Sequence, residues 1–102
     1  LEAMASECLI IGSSTAPVRD VIESGVNGLL YDFFDTSALA DALIRACREP
    51  GQYTSLRREA RRAIVDRFDR ARICEPAWLR LIEEVCASAF VPGPHIEING
   101  VM

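Results

Sequence analysis

Cys8-Leu9-Ile10-Ile11-Gly12 is a short uninterrupted apolar run, and Gly28-Leu29-Leu30-Tyr31 is a second. Neither alternates apolar with polar residues. That is the pattern of a strand buried on both faces, as in a parallel sheet. The segment between them reads as a helix. Ser13-Ser14-Thr15-Ala16 is a loop, and Pro17 suits the first helical position, where its missing N–H would be unsatisfied anyway. Val18, Val21 and Ile22 make the buried stripe. Gly25 can take the left-handed conformation that closes such a helix, and Asn27-Gly28 is a turn. Strand, helix, strand in this order is a parallel βαβ unit. Two short strands are only a fragment of a sheet, with an unpaired edge and apolar faces that helices must cover.

Helices are what the remaining sequence offers. Residues 1 to 6 read as the last turns of a helix. Asp35 is a good N-cap for a helix whose apolar face runs Leu39, Ala42, Leu43, Ala46 and Cys47, stopped by Pro50-Gly51. A second amphipathic helix carries Tyr53, Leu56, Ala60, Ile64 and Phe68 on one side. Asp69 can cap a last helix with an inner stripe of Cys74, Trp78, Ile82, Val85 and Ala89. Pro76 falls inside that pattern, so the helix either kinks there or becomes regular at about Pro76. Residues 91 to 102 read as a loop-like tail, with His95 to Asn99 as a candidate edge strand.

The chain has 102 residues and a net charge of -4, and half of its residues are hydrophobic. One small domain with a core is feasible. All eleven basic residues are arginine. The acidic total argues against a nucleic-acid partner, which needs a basic surface to displace counterions. No apolar run approaches the roughly 20 residues that span a bilayer, and no signal peptide is visible. Cys8, Cys47, Cys74 and Cys86 do not have zinc-site spacing, so they read as reduced, mostly buried thiols in a cytoplasmic protein.

Leu1-Glu2-Ala3-Met4-Ala5-Ser6-Glu7-Cys8-Leu9-Ile10-Ile11-Gly12-Ser13-Ser14, followed by Ala16-Pro17-Val18-Arg19-Asp20-Val21-Ile22-Glu23-Ser24-Gly25-Val26-Asn27-Gly28-Leu29-Leu30, resembles the end of the nucleotide-sugar-binding domain of retaining GT-B glycosyltransferases of family 4, glycosyl transferases group 1. Asp32-Phe33-Phe34-Asp35 resembles that family's segment after the last strand. Arg67-Phe68-Asp69, Cys74-Glu75-Pro76 and Trp78-Leu79 look like its closing helices. The resemblance implies a partial Rossmann-like α/β fold: a GT-B carboxyl-terminal half-domain over residues 1 to 90, then a tail from 91 to 102. It also implies that the chain is the last part of a longer enzyme. That enzyme would move a sugar from a nucleotide-sugar donor to a saccharide or lipid-linked acceptor, without a cofactor or metal.

The family's donor site has two glutamates separated by seven residues. Glu2 matches the second, whose carboxylate would accept hydrogen bonds from the donor ribose. The first glutamate and its Gly-rich turn would precede Leu1, so the chain alone is expected to be inactive. The family's usual Gly-Gly before the helix is replaced by Thr15-Ala16. The segment therefore reads as a structural strand-to-helix turn rather than a phosphate cradle.

Other polar groups carry less. Arg57-Arg58-Glu59-Ala60-Arg61-Arg62 could make a peripheral membrane contact, but its spacing reads better as a solvated helix face. Phe33 and Phe34 read as packing residues that seat the following helix. Asp32 and Asp35 are read neither as a metal site nor as an acid/base pair. The alternative function is a non-catalytic, self-associating module: a half-domain has apolar surface that pairing into a homodimer would cover.

Overall fold

The computed structural model describes residues 1 to 89. The elements are α1 (Glu2–Ala5), β1 (Ile11–Ser13), α2 (Ala16–Arg19), β2 (Leu29–Tyr31), α3 (Thr36–Arg48), a 3-10 turn (Pro50–Tyr53), α4 (Thr54–Phe68), a π turn (Arg70–Cys74) and α5 (Glu75–Ala89). The described residues are thus α/β, with two parallel strands flanked by helices, as expected of a partial Rossmann-like half-domain. Residues 91 to 102, and with them the candidate strand from His95 to Asn99, lie outside the described residues. The chain divides into two compact units, Leu1–Asp69 and Arg70–Met102.

In the first unit β1 pairs with β2 in parallel, Ile11 opposite Leu29 and Ser13 opposite Tyr31. The first strand lies later than the apolar run suggests. Of that run only Ile11 and Gly12 are in the ladder, while the Ile10 carbonyl accepts from Leu29 N at 2.9 Å. Both strands are half-buried rather than covered on both faces.

The helix between them is also shorter than expected. Thr15 is its N-cap, Ala16 its first residue and Pro17 its second. It ends at Arg19 because a side chain downstream takes over the backbone. Asn27 Oδ1 accepts from Glu23 N at 2.8 Å, and Asn27 Nδ2 donates to the Val21 carbonyl at 3.2 Å. Asn27 is buried, and these bonds meet its own needs as well. Gly25 is left-handed, φ +84°, but it turns the loop toward β2 instead of closing α2. A Cβ on Gly28 would meet Ile22 Cγ2 at 2.9 Å and the Ile10 carbonyl at 3.2 Å, so the chain passes close to β1 there.

Helix α1 ends in a Schellman motif. Cys8 N donates to the Ala3 carbonyl at 3.0 Å and Glu7 N to the Met4 carbonyl at 3.1 Å. Glu7 occupies the left-handed position with φ +57°. Glycine is the usual residue there. Two arginines of α4 hold the same segment: Arg57 Nε donates to the Glu7 carbonyl at 2.8 Å, and Arg61 donates to the Ala5 carbonyl. A third, Arg67, donates to the Asp20 carbonyl at 3.0 Å, just past α2. Each guanidinium supplies a donor to a carbonyl at the end of a short helix. This segment was expected to be a solvated face. Arg57, Arg58, Arg61 and Arg62 are exposed as that reading requires, and Arg62 pairs with Glu59 at 2.9 Å; Arg57 and Arg61 serve the backbone as well.

The core of this unit is Met4, Ile22 and Ala60, ringed by Ile10, Val18, Val21, Leu30, Ala63 and Ile64. Ala60 is fully buried, and its small side chain lets α1 approach α4. On α3 only Ala42 of the expected stripe is buried; Leu39, Leu43 and Cys47 are exposed. Asp35 caps α3 as expected, its Oδ1 accepting from Ala38 N at 3.0 Å.

In the second unit the regular helix starts at Glu75, so Pro76 stands in its first turn and needs no kink. Asp69 follows α4 and stands immediately before the π turn that runs into α5. Trp78, Leu79, Leu81, Ile82 and Val85 are exposed on α5, including three residues of the stripe read as inward-facing.

Candidate functional site

Glu2 occupies the first position of α1, with its side chain exposed. A carboxylate in a first helical turn is favoured by the free N–H groups there. The packing of α1 against α4, through Met4 and Ala60, fixes where this turn stands. Beside it, Leu1 and Met4 line a groove of about 260 Å³ with Ile10, Pro17, Val18 and Val21. The fold therefore brings the start of α1 and the start of α2 to the two sides of one groove, although Glu2 is not in its lining.

The loop before α2 is occupied by its own groups. Ser14 N donates to the Tyr31 carbonyl at 2.7 Å. Arg19 Nη1 donates to the Ser14 carbonyl at 2.8 Å and to Ser14 Oγ at 3.1 Å. This is the geometry of a strand-to-helix turn, and α2 is too short to build a strong N-terminal field. Arg19 was not singled out in the sequence. Its only local signal is the spacing of five residues back to Ser14, which gains meaning once α2 is folded.

Phe33 and Phe34 do not seat α3. They are 67% and 87% exposed and stand edge to face, with ring centroids 5.2 Å apart. The thiols also differ from expectation: Cys8, Cys47 and Cys86 are exposed and Cys74 is half-buried. Cys8 and Cys47 both line an apolar groove of about 410 Å³ with Leu9, Ile11, Leu43 and Tyr53. Among the described residues no group of three or more His, Cys, Asp or Glu side chains could hold a metal ion. No helix among them is long and apolar enough to cross a membrane.

The family model described as Glycosyl transferases group 1 matches residues 1–63. That span holds α1, the β1–α2–β2 unit, α3 and most of α4. Comparison with curated proteins gives no match, and neither does comparison with solved structures. With well over half of its length under the family match, carried by the same elements that place Glu2, the chain belongs to the group 1 glycosyltransferases.

Proposed function

We propose that the chain is the carboxyl-terminal part of a retaining GT-B glycosyltransferase of family 4. The enzyme transfers a sugar from a nucleotide-sugar donor to a saccharide or lipid-linked acceptor. The observation that carries this reading is the family match over residues 1–63, which includes Glu2 in an exposed first helical turn. Glu2 accepts hydrogen bonds from the donor ribose, since one carboxylate can serve two vicinal hydroxyls. No cofactor or metal takes part. The enzyme works in the cytoplasm, where free thiols stay reduced.

Two measurements test the reading. In the longer enzyme, Glu2→Ala removes a charge-assisted hydrogen bond, about 1.5–3 kcal/mol, and weakens donor binding roughly ten- to hundredfold by calorimetry. Unchanged affinity would show that the ribose role is wrong. The 102-residue chain alone shows no sugar transfer, because the loop before α2 engages its own groups and makes no cradle for the departing diphosphate and its charge. Transfer above background by the purified chain would overturn that expectation.

A second reading is favoured by one observation, the exposed apolar residues of α5. Here the chain acts as a non-catalytic module that forms a homodimer through this surface. Sedimentation equilibrium at micromolar concentration decides it: a chain that stays monomeric as concentration rises rules the dimer out.

A further inference from the structure

The turn after β2 breaks a local rule. The Asp32 carbonyl accepts from Asp35 N at 3.1 Å, which makes Asp32–Asp35 a β-turn with Phe33 and Phe34 at its centre. Central turn positions favour Gly, Pro, Asn, Asp and Ser, each for a conformational or hydrogen-bonding reason that phenylalanine lacks. Packing does not explain the pair either, because both rings are mostly in solvent. Two adjacent aromatic side chains with neither duty mark a surface that meets something. Their edge-to-face contact, 5.2 Å between centroids and 80° between planes, holds them as a pair. Phe34, at 87% exposure, keeps its ring surface open.

The flanking groups select the ligand. Asp32 Oδ1 accepts from Phe34 N at 2.8 Å, and Asp35 Oδ1 accepts from Ala38 N at 3.0 Å. The second oxygen of each exposed carboxylate can accept from a hydroxyl. Two negative charges beside the rings oppose phosphate, which disfavours nucleic acid and anionic lipid. A neutral sugar ring suits both features. Its C–H face lies on an aromatic ring while its hydroxyls donate to carboxylates. The turn also leaves the carboxyl end of β2, and the Ser14 N bond to Tyr31 puts the loop after β1 beside it. Ligand crevices of parallel α/β sheets open at that end.

The geometry points to Phe33 and Phe34 as a stacking ledge for a neutral saccharide, with Asp32 and Asp35 as hydroxyl acceptors. The inference rests on the glycosyltransferase reading and gives a neutral saccharide a place on this chain, separate from the donor role of Glu2.

The test is an NMR titration of the full 102-residue chain with maltohexaose and with cellohexaose, following the ring signals of Phe33 and Phe34. At least one probe produces saturable shifts centred on residues 32 to 35. The double variant Phe33→Ala/Phe34→Ala weakens that binding at least about tenfold while its circular dichroism is unchanged, since neither ring is in the core. Asp32→Asn/Asp35→Asn weakens it less. Three results overturn the ledge: no saturable shift with either sugar, a response only to phosphatidylglycerol vesicles, or ring shifts that follow protein concentration without sugar. Failure here with a normal Glu2→Ala effect on donor binding sinks the ledge alone. Saccharide shifts with no Glu2→Ala effect sink the donor role alone.

Discussion

Glu7 shows how one residue can fit its place poorly and still be held there. Its left-handed backbone, φ +57°, is required by the Schellman motif that ends α1. A side chain in that region costs about 1–2 kcal/mol, and glycine avoids most of the cost while losing more freedom on folding. Glu7→Gly therefore stabilises the chain by about 1 kcal/mol in urea unfolding, and an unchanged or lower midpoint would mean that no strain is stored. Nothing in Ala5-Ser6-Glu7-Cys8 announces this, because the residue that usually marks such a position is absent. The Arg57 bond that helps hold it comes from fifty positions away. Asp35 was legible for the opposite reason: its cap is closed within three residues, so the local pattern contains the whole interaction. Phe33 and Phe34 were misread because an apolar residue in a sequence implies burial by default, and only the turn geometry shows them outside.

Among the elements, α2 is the instructive failure. Val18, Val21 and Ile22 have helical spacing, and a regular helix to Gly25 follows from spacing alone. Burial does unite Val18, Val21 and Ile22 around the core, but a turn is enough to achieve it. Asn27 ends the helix by bonding Glu23 N and the Val21 carbonyl from a buried position. Asn27→Ala leaves both backbone groups without that partner and lowers stability by about 2–3 kcal/mol; a loss below about half that, by the same urea unfolding, would show that water replaces the amide freely. The parallel pair, its order and the stop at Pro50-Gly51 were readable because they depend on local composition. The register was not, since an apolar run from Cys8 to Gly12 serves equally as ladder or as approach to it. The apolar stripe of α5 was also correctly spaced, but spacing cannot say what stands opposite.

At the scale of the whole molecule, few side chains are fully covered. Met4, Ile22, Ala42 and Ala60 are the buried hydrophobic residues among those described, while α5 has Trp78 at 63% exposure. Trp78 is the only tryptophan, so its fluorescence reports that helix alone. If the chain pairs through α5, Trp78 emission moves to the blue as concentration rises and returns on dilution. Emission that stays at the water-exposed wavelength throughout excludes pairing there. The three arginine bonds from α4 have a different consequence, one of timing. Helices of four residues cannot persist by themselves. Both α1 and α2 are of this kind, and carbonyls at or just past their ends are held by Arg57, Arg61 and Arg67. The segment from α1 to β2 therefore leaves the ribosome before the α4 partners that shape it. It remains open to chaperones and proteases until α4 has emerged, and a message cut short before that helix leaves α1 and α2 without these three bonds.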